Sequence, residues 1–411
     1  MTNKQWFLLL VLFAGLSMAE METGLAQNAR PAPGPPPPIS VYEQQKRKAN
    51  ENVVTITASG RLTGYTQFAE DISNIFDDMS DAKVRVITLI GKGAGQNVHD
   101  MLFLKSIDMG VVDQDILIYL KRKNPALYGE VDQRIQYITK LFNTSLHLYA
   151  KNEINSLEDL RGKKVSCLKP MSTVAILCEN LFHALRIPVQ IVHDDAALAM
   201  QKVKTGEIAA AARGGLPPIQ GFETVKPEDN LHFVPIEEKT PRNSDFSAIR
   251  ATYLPARLKS AHYATMIPEG AEVPTIATST LLVAYAWPAD SDRSKYVASF
   301  VKAFFENIDK FNKPPRHAGW ADVNLAAEVP GWKRLPAAQE MIDKMRLSQA
   351  KPAEATGSNP TIVVDEKAKT AFVAFVNQYA KSRDATAPLT ETDKAALWVQ
   401  FQRWWADRAG R

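Results

Sequence analysis

The chain has 411 residues, of which 45% are hydrophobic and 23% charged, and this is an ordinary composition for a globular protein. A single hydrophobic core stops growing at roughly 250 to 300 residues, so two or three packed units are expected. The formal net charge is only +4, and no basic stripe interleaved with aromatic residues is present. Composition and charge pattern therefore exclude a nucleic-acid-binding protein.

Residues 1–26 have the pattern of an export signal. Lys4 is followed by the apolar run Trp6–Phe13 and then by small residues. The run is well short of the roughly 20 residues that a membrane anchor needs, so we expect a cleaved signal peptide and a periplasmic protein. Residues 27–50 include a Pro-rich stretch and are predicted to form a semi-rigid linker.

Short apolar runs alternate with amphipathic stretches from Val53 onward, in two separate series. The first series predicts strands at Val53–Thr57, Val84–Ile90, Ile107–Val112, Ile135–Phe142 and Leu146–Ala150. The second predicts strands at Lys164–Leu168, Val189–Val192 and Ile208–Ala212, with helices between them. A further strand, Thr280–Ala286, and a helix, Ser294–Asn307, follow. This alternation is typical of an α/β fold with parallel strands and helices on both faces.

The sequence lacks the spacings that carry metal or covalent chemistry. The seven histidines are scattered, and the two cysteines, Cys167 and Cys178, are too far apart for a Cys-x-x-Cys site. We expect these cysteines to be buried thiols, and the alternative is that they form a disulfide in an oxidising compartment. Gly91–Gly95 lacks the Lys-Ser/Thr ending of a nucleotide-hydrolysing loop. We therefore expect no metal, no cofactor and no enzymatic activity.

Polar turns follow the predicted strands at equivalent positions in both series. In open α/β sheets ligands bind beyond the carboxyl ends of strands, where helix N-termini offer free amides. Each turn could be a plain connector, but several at equivalent positions indicate a cleft between two facing units. The candidate ligand-binding residues are Ser59, Gly60, Tyr65, Gly93, Gly95, Gln96, Asp113, Ser172, Thr173, Arg213 and Gly214.

Arg213 is the candidate anchor for a ligand carboxylate, because it is predicted to follow a strand and is flanked by glycines that allow close approach. The alternative is a surface or salt-bridged arginine. If Asp113 also faces the cleft, the pair would suit the carboxylate and ammonium groups of an amino acid. Arg213 alone would suit an organic acid.

In the segments that contain these turns, the chain resembles the TAXI subgroup of TRAP-transporter solute receptors, within the type II periplasmic binding proteins. The resemblance covers roughly residues 51–345. It rests on the order and spacing of Thr57–Gly60 with Tyr65, Asp113–Asp115, Ser156–Val165, Gly206–Ala210, Gly214–Pro217 and Val273–Thr275. The sequence departs from the family at the first-turn glycines, at Asp113 and at Met171–Thr173.

The resemblance implies a two-lobed type II periplasmic-binding-protein fold with hinge strands. The first lobe would comprise residues 51–147 and 283–349, and the second lobe residues 148–282. The two crossing strands would lie near Leu146–Ala150 and Leu281–Tyr285. Residues 350–411 are additional to this fold and are predicted to form a linker and a helical C-terminal extension.

Members of this family bind small acidic metabolites or amino acids and deliver them to a membrane permease. The resemblance therefore implies a monomeric periplasmic receptor for a small carboxylate or an amino acid, with a TRAP-type permease as its partner. The additional C-terminal extension and the altered turns support an alternative, a permease-independent envelope sensor or scaffold that reuses the receptor fold. An envelope enzyme without a familiar motif is a third reading.

Overall fold

A computed structural model describes residues 39–60, 63–79, 84–238 and 246–350. The α-helices in these ranges are α1 (Val41–Asn50), α2 (Gly64–Asp78), α3 (Ala94–Phe103), α4 (Ile116–Lys123), α5 (Pro125–Tyr128), α6 (Val131–Arg134), α7 (Thr173–Ala184), α8 (Ala196–Thr205), α9 (Ser247–Thr252), α10 (Asp292–Glu306) and α11 (Pro336–Ala350). The strands are β1 (Val53–Thr57), β2 (Arg85–Leu89), β3 (Met109–Asp113), β4 (Ile135–Lys151), β5 (Lys164–Ser166), β6 (Gln190–Val192), β7 (Ala210–Gly215), β8 (Leu231–Phe233), β9 (Leu254–Lys259) and β10 (Glu272–Tyr285). These strands all belong to residues 1–343, the first of two compact units, and the second comprises residues 344–411.

The described strands form one sheet in the order β2-β1-β3-β10-β4-β7-β5-β6, with β8 paired to β4 and β9 paired to β10. At one end β1 pairs in parallel with β2 and β3. At the other end β5 pairs in parallel with β6 and β7. We refer to the end with β1 to β3 as the first lobe and the end with β5 to β7 as the second lobe. The predicted two-lobed α/β fold is confirmed.

The strands β4 and β10 connect the two lobes. The first part of β4 pairs antiparallel with β10, from Ile135 to Ser145, and its last part pairs antiparallel with β7. In the same way β10 pairs with β9 near its start and with β3 near its end. Each strand therefore runs from one lobe into the other, and the segments predicted to cross, Leu146–Ala150 and Leu281–Tyr285, lie within them.

The predicted bounds of these connecting strands were wrong in two respects. The runs Ile135–Phe142 and Leu146–Ala150 belong to one continuous strand, and β10 begins eight residues before the predicted Thr280. Both strands contain buried polar residues that interrupt the apolar pattern. Their hydroxyl groups bond to each other, as Thr144 Oγ1 and Thr280 Oγ1 do at 2.8 Å, so burial is compatible with polarity there. The predicted continuation of parallel pairing into β4 was also wrong, because β4 is antiparallel to both neighbours.

Each lobe has its own hydrophobic core. In the first lobe, Val98 of α3 and Ile116 of α4 pack with Val112 of β3 on one face of the sheet. In the second lobe the apolar face of α7, which includes Leu177 and Leu181, packs on β5 and β7. Cys167 and Cys178 are free, buried members of this second core, as predicted. A rigid core in each lobe leaves the junction between the lobes as the place where polar groups meet.

Predictions outside these cores have different outcomes. The linker predicted over residues 27–50 ends in helix α1, in which no residue is buried. Ser40 starts this helix, because its side chain accepts a hydrogen bond from the Glu43 backbone N–H at 3.2 Å. The predicted signal peptide, the Pro-rich part of the linker up to residue 38, and residues 351–411 of the extension lie outside the described residues.

Candidate binding site

A cavity of about 310 Å³ lies between the two lobes. The first lobe lines it with the turn between β1 and α2, the start of α2, and one later residue: Ser59, Thr63, Gly64, Tyr65, Gln67 and His317. The second lobe lines it with three segments: Leu168 and Ser172–Val174 at the start of α7, Arg213–Leu216 at the end of β7, and Pro218–Gln220 in the loop that follows. The volume is that of a pocket for a small molecule.

Six of the eleven predicted ligand-binding residues line this cavity. They are Ser59, Tyr65, Ser172, Thr173, Arg213 and Gly214. Gly60 lies beside Ser59 in the same turn, whereas Gly93, Gly95, Gln96 and Asp113 are placed elsewhere at the lobe junction. Their contact with a ligand therefore stays a prediction.

Two helix N-termini face the cavity, one from each lobe. Thr63 starts α2, where its Oγ1 accepts the Thr66 N–H at 3.3 Å. Ser172 starts α7, where its Oγ accepts the Ala175 N–H at 3.2 Å. Helix N-termini carry partial positive charge and free N–H groups. This arrangement favours a negatively charged group in the cavity.

Arg213 lies within β7 rather than after it, since Arg213 and Gly214 pair with His147 and Leu146 of β4. The prediction that these residues follow the strand was wrong, because β7 continues to Gly215 to pair with the long strand β4. The position still leaves the Arg213 side chain on the cavity wall.

The Arg213 guanidinium is held in place by its neighbours. Its Nη1 donates to the Gln220 carbonyl at 2.5 Å, and its Cζ lies 5.4 Å from the centre of the Phe222 ring. A Cβ at Gly221 would come within 2.8 Å of Nη1, and Gly221 has a φ of 98°, so glycine is required there. Burial lowers the pKa of Arg213, and no described carboxylate forms an ion pair with it. The site therefore contains a partly buried cation whose charge is free to bind an anion.

A buried histidine fixes the loop that closes the cavity beside Arg213. His147 Nδ1 lies 3.0 Å from the Ser145 carbonyl and therefore carries the proton, while Nε2 accepts from the Tyr263 hydroxyl at 2.8 Å. The Tyr263 oxygen in turn accepts the Ile219 N–H at 2.9 Å. Burial lowers the pKa of His147 to about 3, so the ring is neutral near pH 7.

His317 adds a second imidazole to the cavity wall, from a segment about 250 residues after the first turn of α2. Its backbone N–H donates to Asp71 Oδ2 at 2.8 Å, and the same oxygen accepts the Trp320 Nε1–H at 2.9 Å. The Gly319 N–H donates to His317 Nδ1 at 3.0 Å. Burial lowers the pKa of His317, so the ring is neutral near pH 7 and its remaining N–H is a donor.

Asp113 lies behind the cavity wall rather than on it. It is 1% exposed, and hydroxyl groups of Tyr65, Thr173 and Thr280 donate to its carboxylate. Tyr65 and Thr173 also line the cavity, so they separate Asp113 from it. This placement does not support the predicted role of Asp113 as a partner for a ligand ammonium group.

Gly93 and Gly95 contact the opposite lobe rather than the cavity. A Cβ at Gly93 would lie 2.9 Å from Ser172 Cα, and one at Gly95 would lie 2.9 Å from the Met171 carbonyl oxygen. Gln96 donates to Asp100 within its own helix at 2.7 Å. These glycines therefore allow the two lobes to come together over the cavity.

Sequence reasoning missed several cavity residues: Gln67, Leu216, Ile219, Gln220 and His317. The loop after Gly214-Gly215 could have been included, because it continues a segment already selected. His317 had no local signal. Among the described residues, no group of three or more His, Cys, Asp or Glu side chains could hold a metal ion. In the same part of the chain, no helix has the length and apolar character needed to cross a membrane.

The structure consists of two α/β lobes that are joined by two long strands, with a cavity between the lobes. The chain belongs to the NMT1-like family, whose pattern matches residues 56–329. No curated protein matches the chain.

Solved structures with similar folds include MatC from Rhodopseudomonas palustris with bound malate, at 13% identity and a TM-score of 0.41, covering 72% of this chain and 97% of that one. The sulfonate-binding protein SsuA from Methylobacillus flagellatus has 13% identity and a TM-score of 0.39, with coverages of 73% and 88%. XAC2383 from Xanthomonas citri bound to ATP has 11% identity and a TM-score of 0.39, with coverages of 72% and 96%. Scores this low carry no argument about ligand or function.

Proposed function

We propose that this protein is a periplasmic, non-enzymatic receptor that captures a small organic anion between its two lobes. The observation that carries the proposal is Arg213, a partly buried guanidinium on the cavity wall with no ion-pair partner among the described carboxylates. Burying a cation without a counter-charge is unfavourable. A bound carboxylate would supply that counter-charge.

The rest of the wall fits the same class of ligand. Two helix N-termini, the hydroxyl groups of Ser59 and Ser172, and the neutral His317 offer hydrogen-bond donors, while Ile219 and Leu216 offer apolar contact. The cavity lining contains no Asp or Glu residue among the described ones. We therefore favour an organic acid over an amino acid, whose ammonium group would have no carboxylate partner.

We further propose that the protein acts as a monomer and delivers its ligand to a TRAP-type permease, as the resemblance to TAXI receptors implies. Loss of uptake of the identified solute after deletion of either gene would support this partnership. The alternative, a permease-independent envelope sensor or scaffold, depends on the C-terminal extension, most of which lies outside the described residues.

Thermal-shift screening tests the ligand class. The mature protein is screened against pairs of compounds that share a carbon skeleton, one a 2-hydroxy acid and the other the corresponding 2-amino acid. A ligand at 100 times its dissociation constant adds about 2.7 kcal/mol of stability. We expect stabilisation by hydroxy acids and little by the matched amino acids. Equal or greater stabilisation by the amino acids would contradict the proposed class.

A further inference from the structure

The junction between the lobes buries two neighbouring carboxyl groups of the first lobe. Asp113 is the last residue of β3, and Asp115 precedes α4. They are 1% and 3% exposed, respectively. Both groups accept hydrogen bonds from residues of the second lobe.

Asp113 accepts hydrogen bonds from both lobes and from a connecting strand. Tyr65 of α2 donates to Oδ1 at 2.6 Å, Thr280 of β10 donates to the same oxygen at 3.0 Å, and Thr173 of α7 donates to Oδ2. Thr144 of β4 completes the group, 3.1 Å from the Tyr65 hydroxyl. Thr173 is the contribution of the second lobe. Separation of the lobes would remove this donor from Asp113.

Asp115 makes a similar contact across the junction. Its Oδ2 accepts from the Tyr253 hydroxyl at 2.7 Å and from Asn180 Nδ2 at 3.3 Å, and both residues belong to the second lobe. Burial raises the pKa of Tyr253, and the positive charge of Arg122 in the first lobe opposes this rise. The second lobe therefore covers two carboxyl groups that are already neighbours in the first lobe.

Burial and the neighbouring Asp115 raise the pKa of Asp113 from 3.8 to about 7, against the opposing effect of its three hydroxyl donors. Burial likewise raises the pKa of Asp115, Tyr65 and Tyr253. In water an aspartate ionises near pH 3.9. If the open form exposes Asp113 to water, its pKa would return toward this value and the open form would bind the proton less tightly.

We propose that closing of the lobes is linked to uptake of a proton by Asp113, so that acid favours the closed form and rising pH favours opening. If this linkage controls ligand binding, that role rests on the proposed function, in which the closed lobes hold the solute. The sign follows from the direction of the change. A group that is harder to ionise in the closed form stabilises that form below its ordinary pKa, and the stabilisation is lost as pH rises toward about 7.

The largest possible effect follows if Asp113 ionises in the open form as a free aspartate does. The ratio of closed to open protein would then rise about thirtyfold between pH 8 and pH 5.5, and first-lobe neighbours that stay on Asp113 would make the rise smaller. Tyr65 and Thr173 line the cavity and also bond to Asp113, so the linkage acts directly at the wall of the site.

Single-molecule energy transfer between dyes on the two lobes measures this ratio in the mature protein with no solute added. The dyes are attached at Lys105→Cys in the first lobe and Gln201→Cys in the second, both exposed positions. Cys167 and Cys178 are buried, so labelling is selective. We expect the closed fraction to rise as pH falls from 8 to 5.5. A ratio that stays constant within about twofold would overturn the proposal.

Two variants identify the group that binds the proton. Asp113→Asn keeps the side-chain shape and should remove most of the pH dependence, because only the smaller contribution of Asp115 remains. Asp115→Asn should keep it but lower its midpoint, because the repulsion on Asp113 is lost. An unchanged response in Asp113→Asn would overturn the proposal.

If the wild type is fully closed over the whole pH range, the same titration in Gly95→Ala, which crowds the lobe contact, brings the ratio into the measurable range. A flat titration in that variant would overturn the proposal as well. Because no solute is used, failure here is distinct from failure of anion binding, which the thermal-shift screen tests separately.

Discussion

The Gly95 N–H donates a 3.0 Å hydrogen bond to the Met171 carbonyl, and this bond joins the first lobe to the second. The same glycine has no room for a larger residue, because a Cβ would lie 2.9 Å from that carbonyl oxygen and from Met171 Cε. Gly93 is equally close to Ser172, at 2.9 Å from its Cα. Gly93 and Gly95, at the start of α3, therefore form a contact surface between the lobes.

Gly95→Ala should weaken solute binding although residue 95 does not line the cavity. The added methyl group separates the lobes at Met171, and a binding-competent form that is less populated binds proportionally more weakly. We expect at least a fivefold loss of affinity, measured by calorimetry with the best anion from the screen. Lys105→Ala is the control, because it changes an exposed residue of the same lobe that does not line the cavity. Equal affinities in the two variants would contradict this role of Gly95.

His147 should make the folded protein less stable in acid. Its pKa is about 3 when buried and 6.5 when exposed, so the unfolded chain binds the proton more tightly below pH 6.5. The stabilisation is complete above pH 6.5 and falls toward pH 3, with a loss of about 2 kcal/mol between pH 7 and pH 5. Asp113, with its raised pKa, contributes about the same amount in the opposite direction.

The two contributions separate in a pair of variants. Relative to wild type, the free energy of unfolding of His147→Gln should rise by about 2 kcal/mol between pH 7 and pH 5, and that of Asp113→Asn should fall by about 2 kcal/mol. Urea denaturation at both pH values measures these changes. If both variants follow the wild-type pH profile, neither group titrates as its burial requires.

A buried ion pair closes the far end of the first lobe. Arg293 donates from Nε to Asp108 Oδ1 at 2.8 Å, and the Asp108 carboxylate also accepts the Thr55 N–H at 2.9 Å. Arg293→Ala leaves this fully buried carboxylate without its cation, which should cost about 3 kcal/mol. On the same helix Lys295→Ala removes only an exposed pair and should cost less than about 1 kcal/mol. Equal costs in urea denaturation would show that Arg293 contributes no more than a surface residue.

Apolar periodicity was sufficient to predict the two α/β lobes, because each buries its own regular apolar faces. It was insufficient for β4 and β10, whose polar residues are buried against one another where the lobes join. A strand that is polar inside looks like two strands with a turn between them. The break predicted between Phe142 and Leu146 is the result.

The candidate site was also predictable only in part from the sequence. Polar turns at strand ends indicated the cavity and included Arg213, although the strand continues through it. The environment of Asp113 was not predictable, because the hydroxyl groups that donate to it come from segments far apart in the sequence. His317 was missed for the same reason, since it lies about 250 residues after the start of α2. Such groups become neighbours only when the lobes and connecting strands assemble.

Calorimetry on Arg213→Ala tests the central claim, that Arg213 anchors an anion between the lobes. A hydrogen bond to a charged group contributes roughly 1.5 to 3 kcal/mol, so this variant should bind the best anion about ten- to a hundredfold more weakly than wild type. Arg257→Ala, which removes an exposed arginine with a side chain 62% accessible, is the control and should bind normally. A folded Arg213→Ala protein with an affinity within about twofold of wild type would contradict the account.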